Sequence, residues 1–417
     1  MSRAETALRE GVAAHFPPGH ARQIGIAVSG GGDSLALLHI LAEIAADTPL
    51  TLRAVTVDHG LRADAAEEAA MVASIAAGLG ITHETVTWTG WGGAGNLQDQ
   101  ARRARYDLLS SWARQHDIEQ VAIGHTADDQ AETFFMRLAR ASGVDGLSGM
   151  PVRRQHGGVT FVRPLLDQTR ASLRNYLTHK GVAWIDDPSN DDTRFDRVKV
   201  RQALEHLRPL GLTPQVICET AKNLAAARAA LGWYACNEAR HLVHIDEGDV
   251  VFARASFGQL QPEIARRLLQ QALVWVAGTE YPPRRRAIAL ALAAIRDGTG
   301  MTLNGCKIAL TSKKIRVFRE YSAVRSVVTS SDQPWDGRWQ MTGPHANDLR
   351  IRALGEEGLA QCNRWRETGL PFSSLAGYPS VWRGDTLVCA PHADFGEGWT
   401  ATLLRDGDVF FSALLVH

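Results

Sequence analysis

Ile24-Gly25-Ile26-Ala27-Val28-Ser29-Gly30-Gly31-Gly32-Asp33-Ser34-Leu35-Ala36-Leu37-Leu38 is the stretch whose reading decides the fold of this 417-residue chain. It opens on an apolar, β-branched run and closes on an apolar helical pattern, with a Ser/Gly turn between them. That order predicts a buried strand, a tight turn and a helix N-terminus. Consecutive glycines let the backbone pass close to a ligand, and the free N–H groups of the following helix make an anion site. Ser29 and Ser34 add hydroxyls, so the turn reads as a phosphate cradle. It lacks the lysine of a Walker loop and the spacing of a dinucleotide fingerprint. Its charged residue is Asp33, a carboxylate in an anion site, and a bridging Mg²⁺ reconciles the two. A Gly-rich strand–helix turn with Asp and Ser as simple caps is the alternative.

Outward from this turn, strands and helices alternate. Strands are predicted at 52–57, 84–88 and 120–123, and helices at 34–46, 63–79, 97–116, 128–140 and 168–180. This pattern predicts an α/β, doubly wound parallel sheet whose ligands sit at the carboxyl ends of the strands. Asp58-His59 and His125-Thr126-Ala127-Asp128-Asp129-Gln130-Ala131-Glu132-Thr133 fall at the same edge as the cradle. Asp129 and Glu132 share one helical face and are suited to a metal or an ammonium group. Helix capping and a favourable dipole account for the same acids without a ligand.

The five cysteines are scattered, with no C-x-x-C, which fits a reducing cytoplasm and argues against disulfides and Cys-ligated clusters. No apolar run approaches a membrane span, and no signal-peptide pattern is present. A formal net charge of zero conceals an uneven distribution. Residues 1–136 carry 9 basic and 17 acidic side chains, residues 137–208 carry 13 and 8, and residues 266–319 carry 11 and 2. The two basic blocks are candidate footprints for a polyanion. Three domains are expected: 1–210, an α/β nucleotide-binding domain; 211–325, basic and mainly helical; and 326–417, small and α+β or β-rich. In the second, Lys313, Lys314, Arg316 and Arg319 are expected to face outward from a strand.

Ser29–Ser34 matches the S-G-G-x-D-S pattern and resembles the signature of the PP-loop ATP pyrophosphatases. Further motifs narrow the likeness: Val57-Asp58-His59-Gly60-Leu61-Arg62, the 124–133 segment, Gly146-Leu147-Ser148-Gly149-Met150, Arg163-Pro164-Leu165-Leu166, and Asp187-Pro188-Ser189-Asn190 with Arg194, Phe195, Arg197 and Arg201. Over about the first 210 residues, and more loosely beyond, the chain resembles the bacterial tRNA(Ile)-lysidine synthetases. It departs from them at Ala141, where the family usually has Gly, and at Val198, where Asn is common.

The resemblance implies a ligase. ATP activates C2 of the wobble cytidine in a CAU-anticodon tRNA(Ile), pyrophosphate leaves, and free L-lysine displaces AMP through its ε-amine. Carried onto this chain, Ser29, Gly30, Gly31, Gly32, Asp33, Ser34 and His59 would bind ATP, with Asp33 positioning Mg²⁺. Asp33, Asp129 and Glu132 would be catalytic, and Asp129 and Glu132 would hold lysine. Arg197, Arg201, Lys313, Lys314 and Arg316 would contact phosphate or tRNA, and residues 326–417 the acceptor side. No membrane partner is implied, and a homodimer is left open. A PP-loop tRNA thiolase and a nucleotide-binding regulatory protein are the rival functions.

Overall fold

The structure is a computed structural model describing residues 2–17, 23–60, 65–90, 97–185, 194, 196–279 and 281–415. Leu61, Arg62, Asp187-Pro188-Ser189-Asn190 and Phe195, all singled out above, lie outside the described residues. The chain divides into two compact units, Met1–Arg228 and Ala229–His417.

The first unit contains α1 (Arg3–Ala13), β1 (Gln23–Ala27), α2 (Gly32–Ala46), β2 (Thr51–Asp58), α3 (Ala65–Gly78), β3 (Thr82–Thr87), α4 (Leu97–Gln115), β4 (Gln120–Ile123), α5 (Ala127–Leu138), α6 (Val144–Leu147), β5 (Arg153–His156), β6 (Val159–Val162), α7 (Arg170–Lys180) and α8 (Asp196–Leu207). A long helix, α9 (Pro214–Leu242), runs into the second unit. The six strands form one sheet in the order β3-β2-β1-β4-β6-β5. All neighbours are parallel except β5 and β6, a hairpin across Gly157-Gly158 that alternation alone does not suggest.

β1 lies at the centre because its residues are apolar on both faces. Ile24 and Ile26 are buried among Leu35, Leu38, Leu173 and Tyr176, while Ala27 packs on the other face with Tyr106, Leu109, Trp112 and Phe161. Helices therefore cover both faces of the sheet, as in a doubly wound fold. Gly25 allows the indole of Trp112 to lie on the sheet, since a Cβ there would stand 2.8 Å from the ring. The carboxyl ends of β1 and β4, neighbours that flank the change in strand order, converge on the start of α2.

The second unit adds β7 (Val243–Asp246), β8 (Asp249–Ala253), α10 (Arg254–Gly258), α11 (Pro262–Ala277), α12 (Arg285–Arg296), β9 (Met301–Leu303), β10 (Cys306–Leu310) and β11 (Lys314–Arg319). Its five strands form an antiparallel sheet in the order β7-β8-β11-β10-β9, packed on α11 and α12. The remainder is a four-stranded sheet and a two-stranded ribbon around a tryptophan-rich core of Trp335, Trp339, Trp382 and Trp399.

One expectation is corrected here. Lys313 and Lys314 are exposed, but Arg316 is buried and does not face a nucleic acid. Its Nη1 donates to Asp249 Oδ2 at 2.7 Å, and its Nη2 donates to Asp246. Asp249 also accepts from Ser374 Oγ at 2.5 Å and Tyr378 OH at 3.1 Å. Both faces of β11 are covered, so alternation along the strand does not carry Arg316 to water. Arg319 is likewise engaged, its Nε donating to Asp336 Oδ2 at 2.8 Å.

Candidate active site

The turn after β1 is built as its residues dictate. Gly30 sits at φ +82°, which favours glycine, and Gly31 caps α2 without a side-chain hydrogen bond. The first N–H groups of α2 are thus left to an outside acceptor. Ser34 Oγ accepts from Ser29 N–H at 3.1 Å and donates to Gly31 O at 2.9 Å. Its hydroxyl therefore shapes the turn as well as lining the site. Ile185 N–H donates to Gly30 O at 3.0 Å, so residues 184–185 close one side of the turn. On the other side Gly124, at the end of β4, lies so near that a Cβ would be 3.1 Å from the backbone of Asp33 and Ser34.

A cavity of about 790 Å³ opens here, lined by Ser29, Gly31, Gly32, Asp33 and Ser34 from the turn, and by Asp129, Arg197 and Arg201 from α5 and α8. His125 lines it too, at the edge expected of the 125–133 segment, and so do Arg105, Arg170 and Arg174, which sequence reasoning missed. Gly30, Glu132 and His59 do not line it among the described residues. His59 instead sits edge-on to Trp88, its Nδ1 buried without a hydrogen-bond partner. Burial, and next Arg105, hold its pKa below the ordinary value against the pull of Asp58.

Asp129 serves two purposes. Thr126 caps α5, and its N–H and Oγ1 donate to Asp129 Oδ2 at 2.8 and 3.0 Å, a capping box. The other oxygen, Oδ1, accepts from Arg170 Nη2 at 3.0 Å and Arg197 Nη2 at 2.9 Å. Glu132, one turn on and 1% exposed, accepts from Arg201 Nε at 2.9 Å, Arg170 Nη1 at 3.4 Å and Arg197 Nε. Arg170 Nε also donates to Asp33 Oδ2 at 3.1 Å. The glycine turn and the acid pair are therefore joined by one guanidinium.

Protonation follows from these contacts. Burial pushes the Asp33 carboxyl up, Arg170 opposes this, and Asp129 and Asp128 add to it. Burial also pushes Asp129 up, but Arg197 and Arg170 outweigh it and hold the carboxylate below its usual range. His125 is pushed down to about 3, chiefly by burial. Asp33 Oδ1 is buried and has no hydrogen-bond partner. An unpaired carboxylate oxygen beside a glycine turn with open N–H groups fits a divalent cation that accompanies an anion.

Arg170 left one local trace in the sequence. It is the first residue of α7, after the cap Thr169, so its charge opposes the helix dipole unless an anion is near. Asp33, Asp128, Asp129 and Glu132 supply that anion.

The PP-loop domain family matches residues 4–207. A tRNA(Ile)-lysidine synthase of Ruegeria pomeroyi is 51% identical over 404 residues, covering 97% of this chain and 96% of that protein. Another, from Wolbachia pipientis wMel, is 35% identical over 330 residues, 77% of each chain. Among solved structures, a U34-tRNA thiolase of Methanococcus maripaludis superposes with a TM-score of 0.47 and 17% identity, covering 53% of this chain and 79% of that one.

Proposed function

The chain belongs to the tRNA(Ile)-lysidine synthase family of PP-loop proteins, and from that membership we propose how its own residues form lysidine. As a member it is an ATP-using ligase that joins lysine to the wobble cytidine of tRNA(Ile), by way of an adenylated tRNA, with AMP and pyrophosphate released. The observation that carries the assignment of roles is the meeting of the glycine turn, Asp33 and Asp129 at one cavity, with Glu132 tied to them through Arg170.

The N–H groups at the start of α2 and the Ser29 hydroxyl receive the phosphates of ATP. Asp33 Oδ1 would hold Mg²⁺, which would neutralise charge on the departing pyrophosphate. Asp129 and Glu132 receive a lysine ammonium group. Arg197 and Arg201, half exposed at the rim, present forks suited to phosphate. His125 is neutral and accepts at Nδ1 from Arg163, so its Nε2–H is a donor for an anionic or carbonyl oxygen.

The nucleotide chemistry belongs to residues 1–210, tRNA binding to 211–325 through Lys313 and Lys314 rather than Arg316, and acceptor-side contact to 326–417. No helix among the described residues is long and apolar enough to cross a membrane. All five cysteines are buried free thiols, which supports a cytoplasmic setting and favours this ligase over a cysteine-dependent thiolase. The test is to incubate a CAU-anticodon tRNA(Ile) transcript with ATP, Mg²⁺ and L-lysine, then digest it to nucleosides. A lysine adduct of cytidine is expected at the wobble position. Its absence, with the protein folded and binding ATP, overturns the assignment.

A further inference from the structure

Asp33, Asp129 and Glu132 meet three guanidiniums, those of Arg170, Arg197 and Arg201. The three negative charges are matched by three positive ones. A lysine ammonium cannot be added to the acid pair without leaving one cation unpaired in a largely buried place, which is costly. One guanidinium has to find another anion first.

Arg170 is the one placed to do so. It alone touches all three acids, through Nε to Asp33, Nη2 to Asp129 and Nη1 to Glu132, at 3.1, 3.0 and 3.4 Å. Its main chain is anchored separately, the N–H donating to Asp128 Oδ2 at 2.7 Å, so the side chain can turn about a fixed base. Its Nε already lies against Asp33, the residue of the phosphate turn. A triphosphate seated there offers several anionic oxygens in a geometry a guanidinium binds well.

We infer that Arg170 is a positioning residue that exchanges between the acid pair and the phosphates of ATP, making the lysine site conditional on nucleotide. With nucleotide on the turn, Arg170 swings toward the phosphates, and Asp129 and Glu132 face two guanidiniums instead of three: the excess positive charge beside the pair is gone, and Asp129 Oδ1 and Glu132 Oε1 each lose a donor. Those freed acceptors receive the ammonium group of lysine. Linkage makes the effect reciprocal, so lysine tightens nucleotide binding by the same factor. The inference rests on the proposed roles of Asp33, Asp129 and Glu132.

The test is calorimetric titration of L-lysine into the full chain, with and without Mg²⁺ and an α,β-methylene analogue of ATP. Wild type should bind lysine roughly tenfold more tightly with the nucleotide, within the usual range of such couplings. Arg170→Gln should bind lysine equally with and without it, and without nucleotide more tightly than wild type. Arg170→Lys retains a cation and guards against a folding defect; its single ammonium cannot span three acids, so its coupling should fall below that of wild type. A purely structural role would alter affinities but leave their ratio unchanged. The inference is overturned if the ratio in Arg170→Gln equals that of wild type, if wild type shows no nucleotide dependence, or if it binds no lysine even with nucleotide. Lysine incorporation into tRNA by the wild type, measured beside these titrations, tells failure of the exchange from failure of the functional assignment.

Discussion

Arg163 donates from Nε to Nδ1 of His125 at 3.2 Å. Arg163 is itself buried and held by Pro151 O at 2.7 Å and Tyr106 OH at 3.1 Å. The acceptor role leaves the imidazole proton on Nε2 and keeps the ring neutral. In the folded chain its pKa is pushed from 6.5 to about 3, first by burial, with Arg163, Arg105 and Arg197 opposing Asp129. The unfolded chain thus binds more protons between those values, and stability rises with pH across them. The contribution is complete above the unfolded value and is lost as pH falls toward the folded one. Lowering pH from about 7 to about 5 should cost the wild type roughly 1 to 2 kcal/mol through this ring. His125→Gln should lack that share of acid sensitivity, as read from urea midpoints at the two pH values. Equal acid sensitivity contradicts the neutral assignment.

Ala141 occupies the left-handed region at φ 54°. An L-residue with a Cβ is strained there, whereas glycine is not. Ala141→Gly should therefore stabilise the chain by roughly 0.5 to 1 kcal/mol, after the entropy glycine adds to the unfolded state. A thermal melt checks this, and a lowered midpoint contradicts it.

The buried Arg316–Asp249 pair should matter for folding and not for RNA. Arg316→Leu strands Asp249 among Ser374 and Tyr378 and should cost about 3 to 5 kcal/mol. The double change Lys313→Ala with Lys314→Ala should leave stability nearly unchanged. It should weaken tRNA binding and reduce the slope of log affinity against log salt by roughly 1 to 2. Filter binding across a salt series separates the two, and an unaltered slope in the lysine pair removes them from the interface.

Gly25→Val should disturb packing away from the cavity. The first added carbon already stands 2.8 Å from the Trp112 ring, and Val121 lies 3.1 Å away. A loss of roughly 1 to 3 kcal/mol is expected. Nucleotide affinity should persist at low temperature, since no contact to the turn is removed. An undiminished melting temperature contradicts the packing.

How much of this was legible beforehand depended on the range of the interactions. The strand–turn–helix of 24–38 is local, and its glycines and apolar runs set it without help from elsewhere. The capping box of Thr126 and Asp129 is likewise contained within one turn of helix. Arg170 was not legible as a site residue, because its partners lie 38 to 137 positions away and only the fold unites them. Arg316 was misread for a related reason. Alternation reports which residues share a face, but not whether that face is covered, and here Asp249, Ser374 and Tyr378 cover it. The β5–β6 hairpin and β7 are four residues per strand, too short for periodicity to distinguish them from loop.

On the proposed roles, one cavity carries both the activation of RNA and its capture by lysine. The most direct measurement uses ATP labelled at the α-phosphate, with Mg²⁺ and a CAU-anticodon tRNA(Ile), first without lysine and then with it. Label should attach to the RNA in the first stage and then leave as AMP in step with lysine incorporation. Label appearing as ADP, or never passing through the RNA, would contradict those roles.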